Sequence, residues 1–121
     1  MYEVRVTSKF SSAHNLRNYK GRCENLHGHT WKVEVCLRGK ELNSDGFLCD
    51  FTEIKKELNS CLDRYDHGYI NEITPFDKVN PTAENLAYTI FQELNGKMKN
   101  LFEVTVWESE DARAVFRNEK E

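Results

Sequence analysis

Residues 23–38 read CENLHGHTWKVEVCLR, and the second half of that stretch settles the architecture. Trp31, Val33, Val35 and Leu37 alternate with Lys32, Glu34, Cys36 and Arg38. A period of two marks a strand with one face buried, here over residues 28–38. Upstream, YEVRVTSKFSSAH keeps the same rhythm from Tyr2 to His14. Tyr2, Val4, Val6 and Phe10 share one side, and Glu3, Arg5, Thr7 and Lys9 the other. The polar segment NLRNYKGRCEN joins the two strands, with Gly21 available for a tight bend. Neighbouring strands linked in this way pair antiparallel.

Downstream, Asp45-Gly46 is a turn signal, and FLCDF is read as a short additional strand. Asp50 with Glu53 fits a capping box. Ile54, Leu58, Cys61, Leu62 and Tyr65 then recur at helical spacing. The long connection DHGYINEITPFDKVNP leads to a second helix, capped by Thr82 and buried through Leu86, Ile90, Phe91 and Leu94. Two closing strands follow, over residues 101–109 and 112–118, with Glu110-Asp111 between them. The order ββααββ predicts one α+β domain over residues 1–121, an antiparallel sheet with two helices on one face.

A formal net charge of −3 excludes a whole-molecule electrostatic match to nucleic acid. The alternating amino terminus lacks a signal peptide's apolar run, and no stretch approaches the ~20 apolar residues of a membrane span. A cytoplasmic, soluble protein without a membrane partner is expected. In that compartment Cys23, Cys36, Cys49 and Cys61, spaced without a CxxC pair, are thiols.

Of the four histidines, His14, His27 and His29 fall within sixteen residues. On paired strands about 4.8 Å apart, with same-side residues about 6.6 Å apart, their imidazoles can converge on one ion. Imidazole suits zinc and other first-row divalents, and three protein ligands leave a fourth position open for chemistry. Spacing alone equally allows unrelated surface or core histidines. Cys23, near Lys20 and Arg22, can close such a site as a ligand, act as a base or nucleophile, or be inert. Asp66 can orient His67, although a lone DH is also a common helix end. Glu108 shares the parity of Phe102, Val104 and Val106, where a carboxylate needs a partner. A carboxylate of that kind can accept two parallel hydrogen bonds from a pterin or guanine edge. Glu84, in the first turn of the second helix, is explained by capping electrostatics alone.

Taken in order, SSAHNL, CENLHGHTW, GFLCDF, YDHGYIN, NPTAEN and VTVWES resemble the 6-pyruvoyltetrahydropterin synthase family over nearly the whole chain. The spacing Cys-x-x-x-His-Gly-His is similar to its bacterial 6-carboxytetrahydropterin synthase branch. The resemblance implies the tunnelling fold (T-fold), in which trimers close their strands into a barrel, two trimers usually stack, and active sites lie between subunits. It implies conversion of 7,8-dihydroneopterin triphosphate to 6-carboxy-5,6,7,8-tetrahydropterin, acetaldehyde and triphosphate, a step toward queuosine. It also implies that His14, His27 and His29 hold Zn2+ and that Cys23 accepts a proton. His67 then acts in a relay with Asp66, Glu108 anchors the pterin and joins the relay, and Thr82 and Glu84 hold the ring from a neighbouring subunit. Ring reduction is matched by side-chain oxidation, so no nicotinamide or flavin is needed, and no glycine-rich dinucleotide fingerprint appears. Lys9, Arg17, Lys20 and Arg22 are the candidate cations for the triphosphate. Competing readings are a relative giving a 6-pyruvoyl or side-chain-cleaved product, and a non-catalytic, zinc-stabilised ligand-binding barrel.

Overall fold

Strand β1 (Tyr2–His14) and strand β2 (His27–Gly39) form one continuous antiparallel ladder, from Tyr2 opposite Gly39 to His14 opposite His27. These elements come from a computed structural model that describes residues 1–18, 20 and 25–119. Helix α1 (Phe51–Leu62), strand β3 (Gly68–Tyr69), helix α2 (Ala83–Asn95) and strands β4 (Leu101–Trp107) and β5 (Arg113–Arg117) complete the order. The sheet runs β3-β1-β2-β4-β5.

Period-two patterning divides the sheet into two faces. Val6, Phe10, Trp31, Val33, Val35, Val104 and Val106 are buried together with Ile54, Leu58 and Leu62 of α1 and Leu86, Ile90 and Leu94 of α2. The other face carries a charge ladder. Arg5 pairs with Glu3 at 2.7 Å and Glu34 at 2.8 Å, Arg38 with Glu3 at 2.9 Å, and Arg117 with Glu103 at 2.7 Å.

Both helices start where their caps predict. Asp50 accepts a hydrogen bond from the Thr52 N–H at 2.9 Å, and Thr82 Oγ1 accepts one from the Asn85 N–H at 3.1 Å. Thr82→Ala is expected to cost about 1 kcal/mol, the usual worth of such a cap, read from the midpoint of urea unfolding. Among the described residues, no helix is long and apolar enough to cross a membrane.

Three features depart from the predicted pattern. FLCDF forms no strand. Asn43 Oδ1 instead accepts from the Asp45 and Phe47 N–H groups, and Asp50 is already a helix cap, so too few residues remain between them to pair. The β2–β4 register steps from Cys36–Glu103 to Leu37–Leu101, which makes Phe102 a bulge. Leu101 therefore turns into the core, while Phe102, assigned to the apolar side by parity, stays half-buried.

The third departure is β3, two residues that pair parallel to the edge of β1 through Ser12–Gly68 and Ala13–Tyr69. The otherwise antiparallel sheet gains this edge because His67, at φ 57°, turns the chain out of α1. The His67 N–H then donates to the Ser11 carbonyl at 2.6 Å, and Ser12 Oγ to the Gly68 carbonyl at 2.8 Å. A non-glycine residue in the left-handed region is uncommon and collects at functional sites.

Two asparagines hold the connection from α1 to α2. Asn71 brackets the backbone of Asn15, accepting from its N–H at 3.0 Å and donating to its carbonyl at 2.8 Å. Asn80 does the same for Arg17, at 2.8 and 3.0 Å. Each side-chain amide substitutes for a neighbouring strand. The long connection is thereby fastened beside the end of β1, with Pro81 against His14.

Candidate metal centre

Strand register brings three imidazoles together at one end of the sheet. His14 stands opposite His27, and His29 opposite Ser12. Ring centroids are 4.7 Å apart for His14–His27, 5.1 Å for His14–His29 and 4.8 Å for His27–His29. Trp31, fully buried, presents an edge contact to His14 at 4.8 Å and to His29 at 5.4 Å, forming the floor. Glu108, just past β4, completes the group, and one donor atom from each of the four residues lies within 4.8 Å of the others.

Backbone carbonyls decide which nitrogen faces the centre. His14 Nδ1 lies 2.9 Å from the Pro81 carbonyl, and His27 Nδ1 lies 2.9 Å from the Asn25 carbonyl. A carbonyl only accepts, so each Nδ1 carries a proton, and in the neutral ring each Nε2 presents its lone pair. His14 is 2% exposed and its Nε2 has no hydrogen bond, yet the Glu108 Oε2 is 3.3 Å away. The same oxygen is 3.2 Å from His29 Nε2. A lone pair aimed at a carboxylate oxygen in a buried place is unfavourable, so the contact calls for a positive charge, either a second proton on the ring or a metal ion between the two groups. Ligands about 2.0–2.1 Å from a tetrahedral ion stand about 3.3 Å from one another, so these separations fit a bound divalent metal. Three nitrogens and one oxygen are a borderline donor set of the kind zinc and its first-row neighbours accept.

The centre is closed below and open above. His14 is buried, but the Glu108 side chain is 36% exposed, and a cavity of about 420 Å³ runs past Ser12, Gly28, His29, Thr30 and His67. His67 lines this cavity, and Asp66 precedes it in the chain. Asp66 Oδ2 is 2.9 Å from His67 Nδ1, and Asp66 Oδ1 accepts the Ser11 N–H at 2.9 Å. One carboxylate thus ties the second histidine motif to β1 and orients its ring. The His67 side chain is 85% exposed, so it is open to solvent among the described residues.

The Ser11 N–H, and then His67, hold the Asp66 carboxyl below its ordinary value of 3.8, against a smaller opposing effect of burial. A depressed carboxyl stabilises the fold above that ordinary value and loses its contribution as pH falls through the lower folded value. Asp66→Asn is therefore expected to lose less stability than wild type on acidification from about pH 5 to pH 2, with the difference read from paired urea titrations.

Other predicted residues stand apart from the four-residue group. Thr82 Oγ1 is used in capping α2, and Glu84 is exposed in that helix's first turn. Cys23 and Arg22 lie outside the described residues. Cys36, Cys49 and Cys61 are free thiols, and burial raises the pKa of each. Cys61 is pushed up to about 12 by burial, then by Glu93. All three stay protonated near neutrality and so are poor nucleophiles. The orienting groups that sequence reasoning missed are the Pro81 and Asn25 carbonyls and the Ser11 N–H. Backbone atoms leave no mark in a sequence, and only the polar segment NP before Thr82 hints at a chain end fastened there.

Comparison with known proteins gives a consistent picture. The family described as 6-pyruvoyl tetrahydropterin synthase matches residues 3–119. A Bacillus subtilis protein named 6-carboxy-5,6,7,8-tetrahydropterin synthase is 30% identical over 98% of this chain and 87% of its own. A Dictyostelium discoideum protein named 6-pyruvoyl tetrahydrobiopterin synthase is 32% identical over 91% of each. The solved structure of Caenorhabditis elegans 6-pyruvoyl tetrahydropterin synthase superposes with a TM-score of 0.87 and 26% identity, covering 97% of this chain and 95% of that one.

Proposed function

The chain belongs to the 6-pyruvoyl tetrahydropterin synthase family, and on that premise we propose that it converts 7,8-dihydroneopterin triphosphate and one water to 6-carboxy-5,6,7,8-tetrahydropterin, releasing acetaldehyde and triphosphate. The observation that carries the reading is the convergence of three imidazoles and the Glu108 carboxylate on one point, with Cys23 four residues before His27. The same Cys-x-x-x-His-Gly-His spacing favours the carboxypterin product, as does the name of the Bacillus subtilis relative.

His14, His27 and His29 hold the metal in this reading, and zinc is the ion their chemistry favours. A metal held by these three rings would acidify the substrate's side-chain hydroxyls and the adjacent C–H. Cys23 accepts the proton so released. Asp66 keeps His67 Nδ1 protonated and its ring turned toward the cavity, so that Nε2 exchanges a proton with the substrate side chain. Glu108 is close enough to neutralise the centre at rest and to hold the amidine-like edge of the pterin when substrate enters. Thr82 and Glu84 act on the ring of a neighbouring subunit's substrate. Substrate electrons move from side chain to ring, so the reaction is redox-neutral overall.

One domain over residues 1–121 carries these groups, and a trimer or dimer of trimers places them at subunit boundaries. The exposure of His67 supports that arrangement, because a site open on one side gains walls from a second copy. A cytoplasmic place in queuosine formation follows from the proposed product.

A 6-pyruvoyl product is the second reading, favoured by the Dictyostelium relative's name and the Caenorhabditis structure. Incubating metal-analysed protein with dihydroneopterin triphosphate separates the two by mass spectrometry. Acetaldehyde with a carboxypterin is the expected result, and a 6-pyruvoylpterin, or no consumption of substrate, overturns it.

A further inference from the structure

We propose that Asn80 is a positioning residue of the metal centre: its side-chain amide grips the Arg17 backbone, keeps the Pro81 carbonyl on His14, and so sets the centre's affinity for metal. That role rests on the reading of His14, His27 and His29 as metal ligands, and not on the substrate or product.

His14 and His27 each give Nδ1 to a backbone carbonyl, and the two carbonyls differ in origin. That of Asn25 lies two residues before His27, so it travels with the ring it serves. That of Pro81 belongs to the connection between α1 and α2, 67 residues along the chain from His14. His14 therefore keeps its partner only while that connection is docked.

Asn80 holds the dock closed. Its Oδ1 accepts the Arg17 N–H at 2.8 Å, and its Nδ2 donates to the Arg17 carbonyl at 3.0 Å. Arg17 follows His14 by three residues, and Pro81 directly follows Asn80. A closed circuit results. It runs along the chain from His14 to Arg17, across two hydrogen bonds to Asn80, through one peptide to Pro81, and back to the His14 ring at 2.9 Å. The Asn80 carbonyl is fixed in turn by the Thr82 N–H at 2.9 Å and by Asn85 Nδ2 at 2.8 Å, which ties the circuit to the first turn of α2. Proline suits the buried position between, because its ring restricts φ and it has no N–H to satisfy.

Asn71 provides an internal comparison. It makes the same pair of bonds to the Asn15 backbone, yet the carbonyls that hold His14 and His27 come from elsewhere. Losing Asn71 loosens the same connection without cutting the circuit through Pro81. Linkage also makes the effect reciprocal: a docked Pro81 that raises metal affinity is itself stabilised by bound metal, by the same factor.

Zinc affinity, measured by competition with a chelator, is the first readout. Asn80→Ala is expected to weaken it about 10–100-fold, the usual cost of losing an outer partner of a metal ligand. Asn85→Ala spares the Arg17 bonds and should weaken zinc by a smaller factor, which keeps the test decisive should Asn80→Ala not fold. Asn71→Ala should lower the urea midpoint at least as much as Asn80→Ala, but shift zinc affinity by less than about threefold. Hydrogen exchange adds a signature that stability alone does not move. Zinc should slow exchange of the Arg17 amide in wild type, and the His14 Nδ1 proton of the zinc-loaded protein should be protected in wild type and unprotected in Asn80→Ala. Zinc affinity equal to wild type in Asn80→Ala, or in Asn85→Ala where that alone folds, overturns the role. So does an Asn71→Ala loss as large as that of Asn80→Ala, which would reduce the effect to general loosening, or an Arg17 amide indifferent to zinc. A wild type that takes up no zinc overturns this role and the metal reading together. A wild type that binds zinc through the circuit but consumes no dihydroneopterin triphosphate sinks the proposed function and leaves the role of Asn80 standing.

Discussion

His14→Ala is expected to strip the metal and abolish turnover. Removing only an outer partner of a metal ligand typically costs 10–100-fold in affinity, so losing one of three imidazoles should cost at least about 100-fold. His14 is the most telling of the three because its ring is buried, fixed by the Pro81 carbonyl and flanked by both other imidazoles. Three measurements read the effect: metal content after dialysis against a chelator, kcat/KM, and the rise in melting temperature on adding zinc. A ligand that binds only the folded state raises its stability, so wild type should gain from zinc and the variant should not. His27→Ala, at a more exposed ring, repeats the test with less risk to folding. Full metal content and zinc-dependent stabilisation in both variants would remove the basis of the proposed chemistry.

Cys23→Ser is expected to lower kcat by about 10²–10⁴-fold, the usual worth of a positioned proton-transfer group, with metal content unchanged. The thiol lies near Lys20 and Arg22 in sequence, and neighbouring positive charge favours a thiolate. Serine keeps the shape but is far too weak an acid to be ionised at neutral pH. The metal assay run alongside separates two roles. A slow variant with full metal supports a proton acceptor, whereas loss of metal along with activity makes Cys23 a ligand. Unchanged turnover would assign the proton transfer elsewhere, with His67 and Asp66 the next groups to test.

Where side chains set the structure locally, the sequence is a good guide. Alternation from Tyr2 to His14 predicts β1 to the residue, and Asp50 and Thr82 mark both helix starts. HGH just before an alternating run is enough to predict that His27 and His29 share a side, and antiparallel pairing then brings His14 to them. Groups that act through the backbone stay hidden. The Pro81 carbonyl that fixes His14 is 67 residues away, and no periodicity links the two. Strand β3 is too short to show a rhythm, and it exists because His67 adopts a left-handed turn that its residue type does not announce. FLCDF shows the converse error: its apolar content reads as pairing, but the asparagine turn before it and the aspartate cap after it claim its ends.

The extra residue at Phe102 has a consequence for how one strand serves two purposes. Leu101 and Glu108 are seven positions apart, and an evenly pleated chain would point them in opposite directions. A single inserted step reverses the phase once, so a hydrocarbon plug at one extremity and an anionic hand at the other both reach inward. Shortening this segment by one would oblige it to give up either the seal or the charge.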